Sequence, residues 1–182
     1  MSCVSEVSNW FIRIFQRRGE DNDLSNMKLN KLLYFSYGLY YAKVGKELFK
    51  NDFVAEQYGP VIKEVYKKFC HLKSSPIEIG ELDFGDETFT DDEEEVLTDV
   101  LAKYDLTASQ LSKLTHISDT PWSKTEQGKI ISKALIHEYF EKNYSKTSNL
   151  PEELPICGRI DENGDTILPA DDDTKEDNWC EN

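Results

Sequence analysis

A mainly α fold is what this chain predicts: a compact domain of five to seven helices, one small extended or β-hairpin element, and an acidic C-terminal extension. Three observations carry that expectation. The stretch from Met27 to Phe69 opens with a run apolar on nearly all sides, in which Leu29, Leu32, Leu33, Phe35, Leu39 and Ala42 alternate with Tyr34, Tyr37, Tyr40 and Tyr41. A helix apolar all round belongs inside a protein, packed on several sides. Apolar residues recur at helical spacing before and after that run, several times behind a capping signature. Finally, the composition changes after about residue 147, where Asp and Glu dominate and prolines recur at 151, 155 and 169.

The elements follow in order. The first helix spans about Ser5 to Arg18, with Val7, Trp10, Phe11, Ile14 and Phe15 on one face. Gly19 and the polar run Glu20-Asp21-Asn22-Asp23 end it. Ser25 or Asn26 caps the tyrosine-rich helix, and Gly45 supplies a left-handed stop. Phe53 to Tyr58 alternates and reads as extended. Gly59-Pro60 breaks that run, with Pro60 expected at the first position of the next helix, where its missing N–H costs nothing. Val61, Ile62, Val65, Tyr66 and Phe69 continue that helix. Lys73-Ser74-Ser75-Pro76 is a break, and Ile77 to Phe89 reads as irregular.

Thr90-x-x-Glu93 and Thr107-x-x-Gln110 are capping boxes opening two further helices. The first carries Val96, Leu97, Val100, Leu101 and Tyr104; the second carries Leu111 and Leu114. After Pro121-Trp122 a last helix is expected to hold Ile130, Ile131, Ala134, Leu135, Tyr139 and Phe140. The chain thus divides into a helical domain, 1–146, and an acidic, largely irregular extension, 147–182. A hairpin over 156–168 is suggested by Asn163-Gly164, which suits a type I′ turn; residues 171–182 read as disordered.

Bulk properties narrow the function. With 38% hydrophobic residues and 12% aromatics the chain can build a real core. It has no apolar run of membrane-spanning length and no signal-peptide pattern at its start, so a cytoplasmic protein is expected. Cys3, Cys70, Cys157 and Cys180 are scattered, without the paired spacing that a zinc site needs, and no metal is expected. The net charge of −14 is sorted along the chain: residues 1–74 carry 12 Lys+Arg against 8 Asp+Glu, residues 75–146 carry 7 against 16, and residues 147–182 carry 2 against 11. A nucleic-acid binder needs a basic face to displace counterions from phosphates, so nucleic acid is an unfavoured partner. A basic protein partner would be attracted.

No phosphate loop, dinucleotide fingerprint or nucleophile elbow is present, and no cofactor is implied. The acids Glu93, Glu94 and Glu95 point in different directions on a helix and suit its N-terminus better than a catalytic cleft. His116 lies near Ser112, Thr115 and Trp122, but a catalytic arrangement needs a third orienting group and none is suggested. Its plainer reading is a helix end, where a hydrogen-bonding side chain suits the last carbonyls.

Several motifs together resemble the Panacea domain, the SocA-like antitoxin family found in bacteria, phages and mobile elements. They are Lys28-Leu29-x-Lys31-Leu32-Leu33-Tyr34, Gly45-x-x-Leu48-Phe49, Ala55-Glu56-x-Tyr58-Gly59-Pro60-Val61, Val65-Tyr66-x-x-Phe69, Leu111-Ser112-x-x-Thr115-His116 and Pro121-Trp122. The resemblance covers about residues 5 to 144. It implies a protein-binding antitoxin and not an enzyme: a chain that neutralises a cognate toxin, encoded beside it, by direct binding, or that delivers the toxin to a protease. Candidate partner-binding residues are Tyr58, Gly59, Pro60, Val61, His116 and Trp122; no catalytic or metal-ligating residue is assigned. Gly59-Pro60 has a local reading, a sharp turn into a helix, and a functional one, shaping a partner groove beside Tyr58 and Val61. Two rival classes remain. One is a phage or mobile-element inhibitor that mimics nucleic acid with its tail and the ten acids of residues 78–95; the other is an enzyme centred on His116.

Overall fold

The computed structural model describes residues 2–80 and 88–144 and two short strands, 159–160 and 166–167. Among these lie six α-helices: α1 Val4–Gln16, α2 Asn26–Val44, α3 Lys63–Phe69, α4 Asp91–Lys103, α5 Ala108–Thr115 and α6 Lys133–Tyr144. A hairpin of β1 (Val54–Glu56) and β2 (Gly59–Val61) sits between α2 and α3. Strands β3 (Arg159–Ile160) and β4 (Thr166–Ile167) pair antiparallel within the segment expected to form a hairpin. The intervening turn, and the expected disorder of 171–182, lie outside the described residues, as do residues 81–87 of the expected irregular segment.

Helix α2 is the axis of the domain. The other five helices and β2 all pack on it. Tyr34, Tyr37 and Tyr40 are buried with the leucines, as the sequence implied for a helix without a polar face. The Tyr34 ring meets Phe53 and Phe140 edge-on at 5.3 and 5.5 Å between centroids, and Phe35 stacks on Tyr104 at 4.3 Å. Helix α6 comes so close that a Cβ on Gly38 would fall on the Phe140 ring. Glycine is required there by space.

The local signals work as read. Ser25 accepts the Lys28 N–H, and Gly45 takes φ +69° at the end of α2. Both capping boxes close, Thr90 N–H donating to Glu93 Oε2 at 2.9 Å and Thr107 N–H to Gln110 Oε1 at 2.9 Å. Glu93, one of the ten acids of the 78–95 run, is itself buried and also accepts the Ser2 N–H at 3.1 Å. Burial works against its charge, but the hydrogen bonds from Thr90 and Ser2 hold its carboxyl below the usual range.

Two expectations need correction. Pro60 does not open a helix: it lies in β2, opposite Ala55, and α3 starts at Lys63. Ala55 turns its own N–H and C=O away from β2, to Lys129 O and Gly128 N–H. The Ala55–Pro60 pair is thus one that exchanges no hydrogen bonds, and a proline without an N–H fits it. Ile130 and Ile131 are not in α6, which begins at Lys133. They run beside β1, with Ile131 N–H on Phe53 O at 2.7 Å.

Candidate functional site

Of the six candidate residues, Gly59, Pro60 and Val61 are buried, while Tyr58, His116 and Trp122 are half-buried. All six meet around the β1–β2 turn, because α5 and the 116–122 loop bring His116 and Trp122 against it.

The turn is held by its carbonyls. Trp122 Nε1–H donates to Glu56 O at 2.8 Å. His116 Nε2 lies 3.0 Å from Gln57 O. Ser112 Oγ–H donates to Tyr58 O at 2.8 Å, and Lys31 Nζ to Pro60 O at 3.0 Å. Four carbonyls of one tight turn are thus engaged by four side chains from α2, α5 and the loop after it. A buried backbone carbonyl carries a desolvation cost unless paired, which explains why Lys31, fully buried, directs its ammonium at Pro60 O.

Gly59 completes the fit. Its φ is +106°, a region that side-chain-bearing residues rarely adopt, and a Cβ there would strike Thr115 Oγ1 and Lys31 Cε. Thr115 in turn donates to Ser112 O at 2.7 Å. His116 caps α5, with Nδ1 2.6 Å from Ser112 O and its ring against Trp122 at 3.7 Å between centroids. Carbonyls only accept, so a neutral His116 ring donates to one of its two carbonyl neighbours, and an imidazolium to both. The hydroxyls of Ser112 and Thr115, imagined as nucleophiles beside His116, both donate to backbone carbonyls instead.

Neither backbone edge of the hairpin is open. Beyond β1 runs the 128–131 segment. Beyond β2, Ile62 N–H donates to Asn30 Oδ1 at 2.9 Å, while the Asn30 amide nitrogen donates back to Asn26 O and Oδ1. Asn26 also reaches Tyr66 O at 2.9 Å. Asn26, Asn30, Lys31 and Ser112 were not singled out as site residues. For the three on α2 the signal is a polar side chain in an otherwise apolar buried helix, which must have a specific partner.

Between the hairpin and α3 a groove of about 490 Å³, counted to its open mouth, is lined by Met27, Tyr58, Val61 and Tyr66. Lys31 and Glu56 also line it, and Lys63 and Lys67, both exposed, stand one helical turn apart along it. Among the described residues no group of three or more His, Cys, Asp or Glu side chains converges as a metal site would require.

The site is thus a hairpin whose turn is held by Lys31, Ser112, His116 and Trp122, beside a groove with largely apolar walls. Residues 29–123 match the family described as antitoxin SocA-like, Panacea domain. The chain belongs to that family. It is also similar to Antitoxin SocA of Caulobacter vibrioides (strain NA1000 / CB15N), 28% identical over 128 residues, covering 59% of this chain and 63% of the relative. The chain therefore spans somewhat less than two thirds of that relative's length. No solved structure matches it significantly. Among the described residues no helix is long and apolar enough to cross a membrane.

Proposed function

We propose that this protein is the antitoxin of a toxin–antitoxin pair, a cytoplasmic binding protein and not an enzyme, which neutralises a cognate toxin by direct contact. The observation that carries the reading is the carbonyl-held turn at 56–60, which the residues of the family motifs build. Its polar side chains position backbone, and rigid positioning of a surface is what tight binding needs, because ordering costs are met before the partner arrives. Covering a toxin's working surface takes an interface of standard size, roughly 1,600 Å² in total. The groove and the half-buried faces of Tyr58, His116 and Trp122 form its centre, where aromatic anchors contribute most.

Co-expression with the product of the neighbouring reading frame tests this. Rescue of growth together with a stable co-purified complex is the expected result. Rescue accompanied by disappearance of the neighbour's product indicates delivery to a protease. A neighbour that is harmless alone and does not bind overturns the antitoxin reading and leaves the acidic-mimic class in its place.

A further inference from the structure

We propose that the groove between the hairpin and α3 seats an acidic segment of the partner protein with one or two large apolar side chains at its centre. The partner's identity as a toxin rests on the antitoxin reading; the chemistry of the segment rests on the groove. Its walls are largely apolar, formed by Met27, Tyr58, Val61 and Tyr66, and the space between them, counted to the open mouth, is about 490 Å³.

Charge sets the sign of the occupant. Three lysines, Lys31, Lys63 and Lys67, line the groove against one acid, Glu56, and Lys63 and Lys67 are exposed; on the same helix Lys68 is balanced by Glu64. This helix belongs to the part of the chain with excess Lys+Arg, residues 1–74, while the remainder carries 27 Asp+Glu against 9 Lys+Arg. An acidic ligand is repelled by most of the molecule and drawn to this face, which concentrates it at the groove and selects its orientation. A basic segment would meet the opposite field.

The backbone decides the mode of recognition. Segment 128–131 lies along β1, and Asn30 and Lys31 hold the outer groups of β2. A partner therefore gains nothing by adding a strand to this hairpin, and recognition falls to side chains entering the groove. The walls are already fixed: Val61 is flanked by the pinned Pro60 and Ile62, and the Tyr66 carbonyl is held by Asn26. Little ordering is needed on binding.

The full-length protein is titrated with a fluorescein-labelled octapeptide, Glu-Asp-Glu-Leu-Phe-Glu-Asp-Glu, and with its counterpart in which lysine replaces every acid. The acidic probe is expected to bind, at least tenfold more tightly than the basic one, and to weaken as NaCl is raised. Lys63→Glu with Lys67→Glu should weaken it at least tenfold with an unchanged thermal midpoint. The milder Lys63→Gln, Lys67→Gln pair and Tyr66→Ala should each weaken it by a smaller factor, which keeps the test valid if charge reversal unfolds the protein. Equal binding of both probes, no binding, or binding indifferent to these substitutions overturns the proposal. A full-length variant with Glu152, Glu153, Asp171, Asp172 and Asp173 changed to their amides is the third arm. If it binds the probe tenfold more tightly than the wild type, the groove's own occupant is the acidic extension and the assignment to a partner fails. If the probe binds as expected and the neighbour's product neither rescues nor competes, the groove chemistry stands and the antitoxin reading falls.

Discussion

Lys28 and Lys31 lie three residues apart on α2, both buried at 1% and 0% exposure, and they are held by different chemistry. Lys28 Nζ is paired with carboxylates, Asp23 at 2.8 Å and Asp105 at 3.0 Å, and lies 4.5 Å from the Phe15 ring centre. Arg18 joins the same cluster through Asp105 at 2.9 Å. Lys31 Nζ donates to a backbone carbonyl, Pro60 O, and its stem closes against Gly59. The first lysine ties together α1, the loop before α2 and the loop after α4. The second ties α2 to the hairpin. One helix thus carries a lysine that closes the fold and, beside it, a lysine that shapes the candidate site. The two should fail in different ways.

The largest effect is expected at Lys31. Lys31→Ala removes a buried stem and leaves a buried carbonyl without this donor, and should cost roughly 3 kcal/mol in urea unfolding. The shape-preserving Lys31→Met keeps most of the packing and should cost less, roughly 1–2 kcal/mol, as the Pro60 carbonyl loses this donor. Both should impair binding beyond their effect on stability, because the turn at 56–60 loses its tie to α2. If Lys31→Met unfolds normally and binds normally, the contrast between the two lysines collapses.

Asn30→Ala comes next, at roughly 1–2 kcal/mol, since it orphans the buried Ile62 N–H. Hydrogen exchange should quicken at Ile62 and its neighbours in β2 far more than in α4. Uniform quickening across the domain would mean that the hairpin is not a separately held unit.

Asp105→Asn probes the other lysine. Asp105 is partly buried, which works against its charge, but hydrogen bonds and attraction from Lys28 and Arg18 hold its carboxyl below the usual range. A depressed carboxyl contributes stability above its unfolded value, near about 3.9, and loses it as pH falls through the lower folded value. Asp105→Asn should therefore cost about 1 kcal/mol at pH 7, a figure reduced for its one-third exposure. The deficit should shrink as pH is lowered below about 4. Denaturation midpoints of the wild type and Asp105→Asn between pH 3 and 8 decide this.

The smallest effect belongs to Tyr34→Phe. The Tyr34 hydroxyl is buried without a hydrogen-bond partner among the described residues. Removing it while keeping the ring should move stability by no more than about 0.5 kcal/mol, in either direction. A large loss would reveal a hidden partner for that hydroxyl.

How much of this was legible beforehand depends on sequence distance. Ser25, Gly45, Thr90-x-x-Glu93 and Thr107-x-x-Gln110 were readable because a cap acts within one turn of its own residue. The burial of Tyr34, Tyr37 and Tyr40 was readable because α2 has no polar face to present to water. Pro60 was misplaced because a proline beside an apolar helical repeat satisfies the rule for a helix start as well as the rule for a strand edge. Choosing between them required knowing that Ala55 bonds to residues 128 and 129. Ile130 and Ile131 were drawn into α6 for the same reason: their spacing suits a helix, and their partners, Val54 and Phe53, lie far away in the chain. Tyr58, Gly59, Pro60, Val61, His116 and Trp122 were named from motifs, and the structure gathers them at one turn; Asn30 and Ser112 escaped because their roles exist only toward distant carbonyls and amides.

The helical class, the caps of α2, α4 and α5 and the burial of α2 could be read from the chain alone, since they follow from composition, periodicity and contacts within a few residues. Which polar group answers which emerged from packing: Lys31 with Pro60, Ser112 with Tyr58, Trp122 with Glu56. A buried donor must find an acceptor, but the chain pattern states only that one is needed. Packing of α2, α5 and the hairpin against one another supplies it, and in doing so shapes the surface on which the proposed function rests.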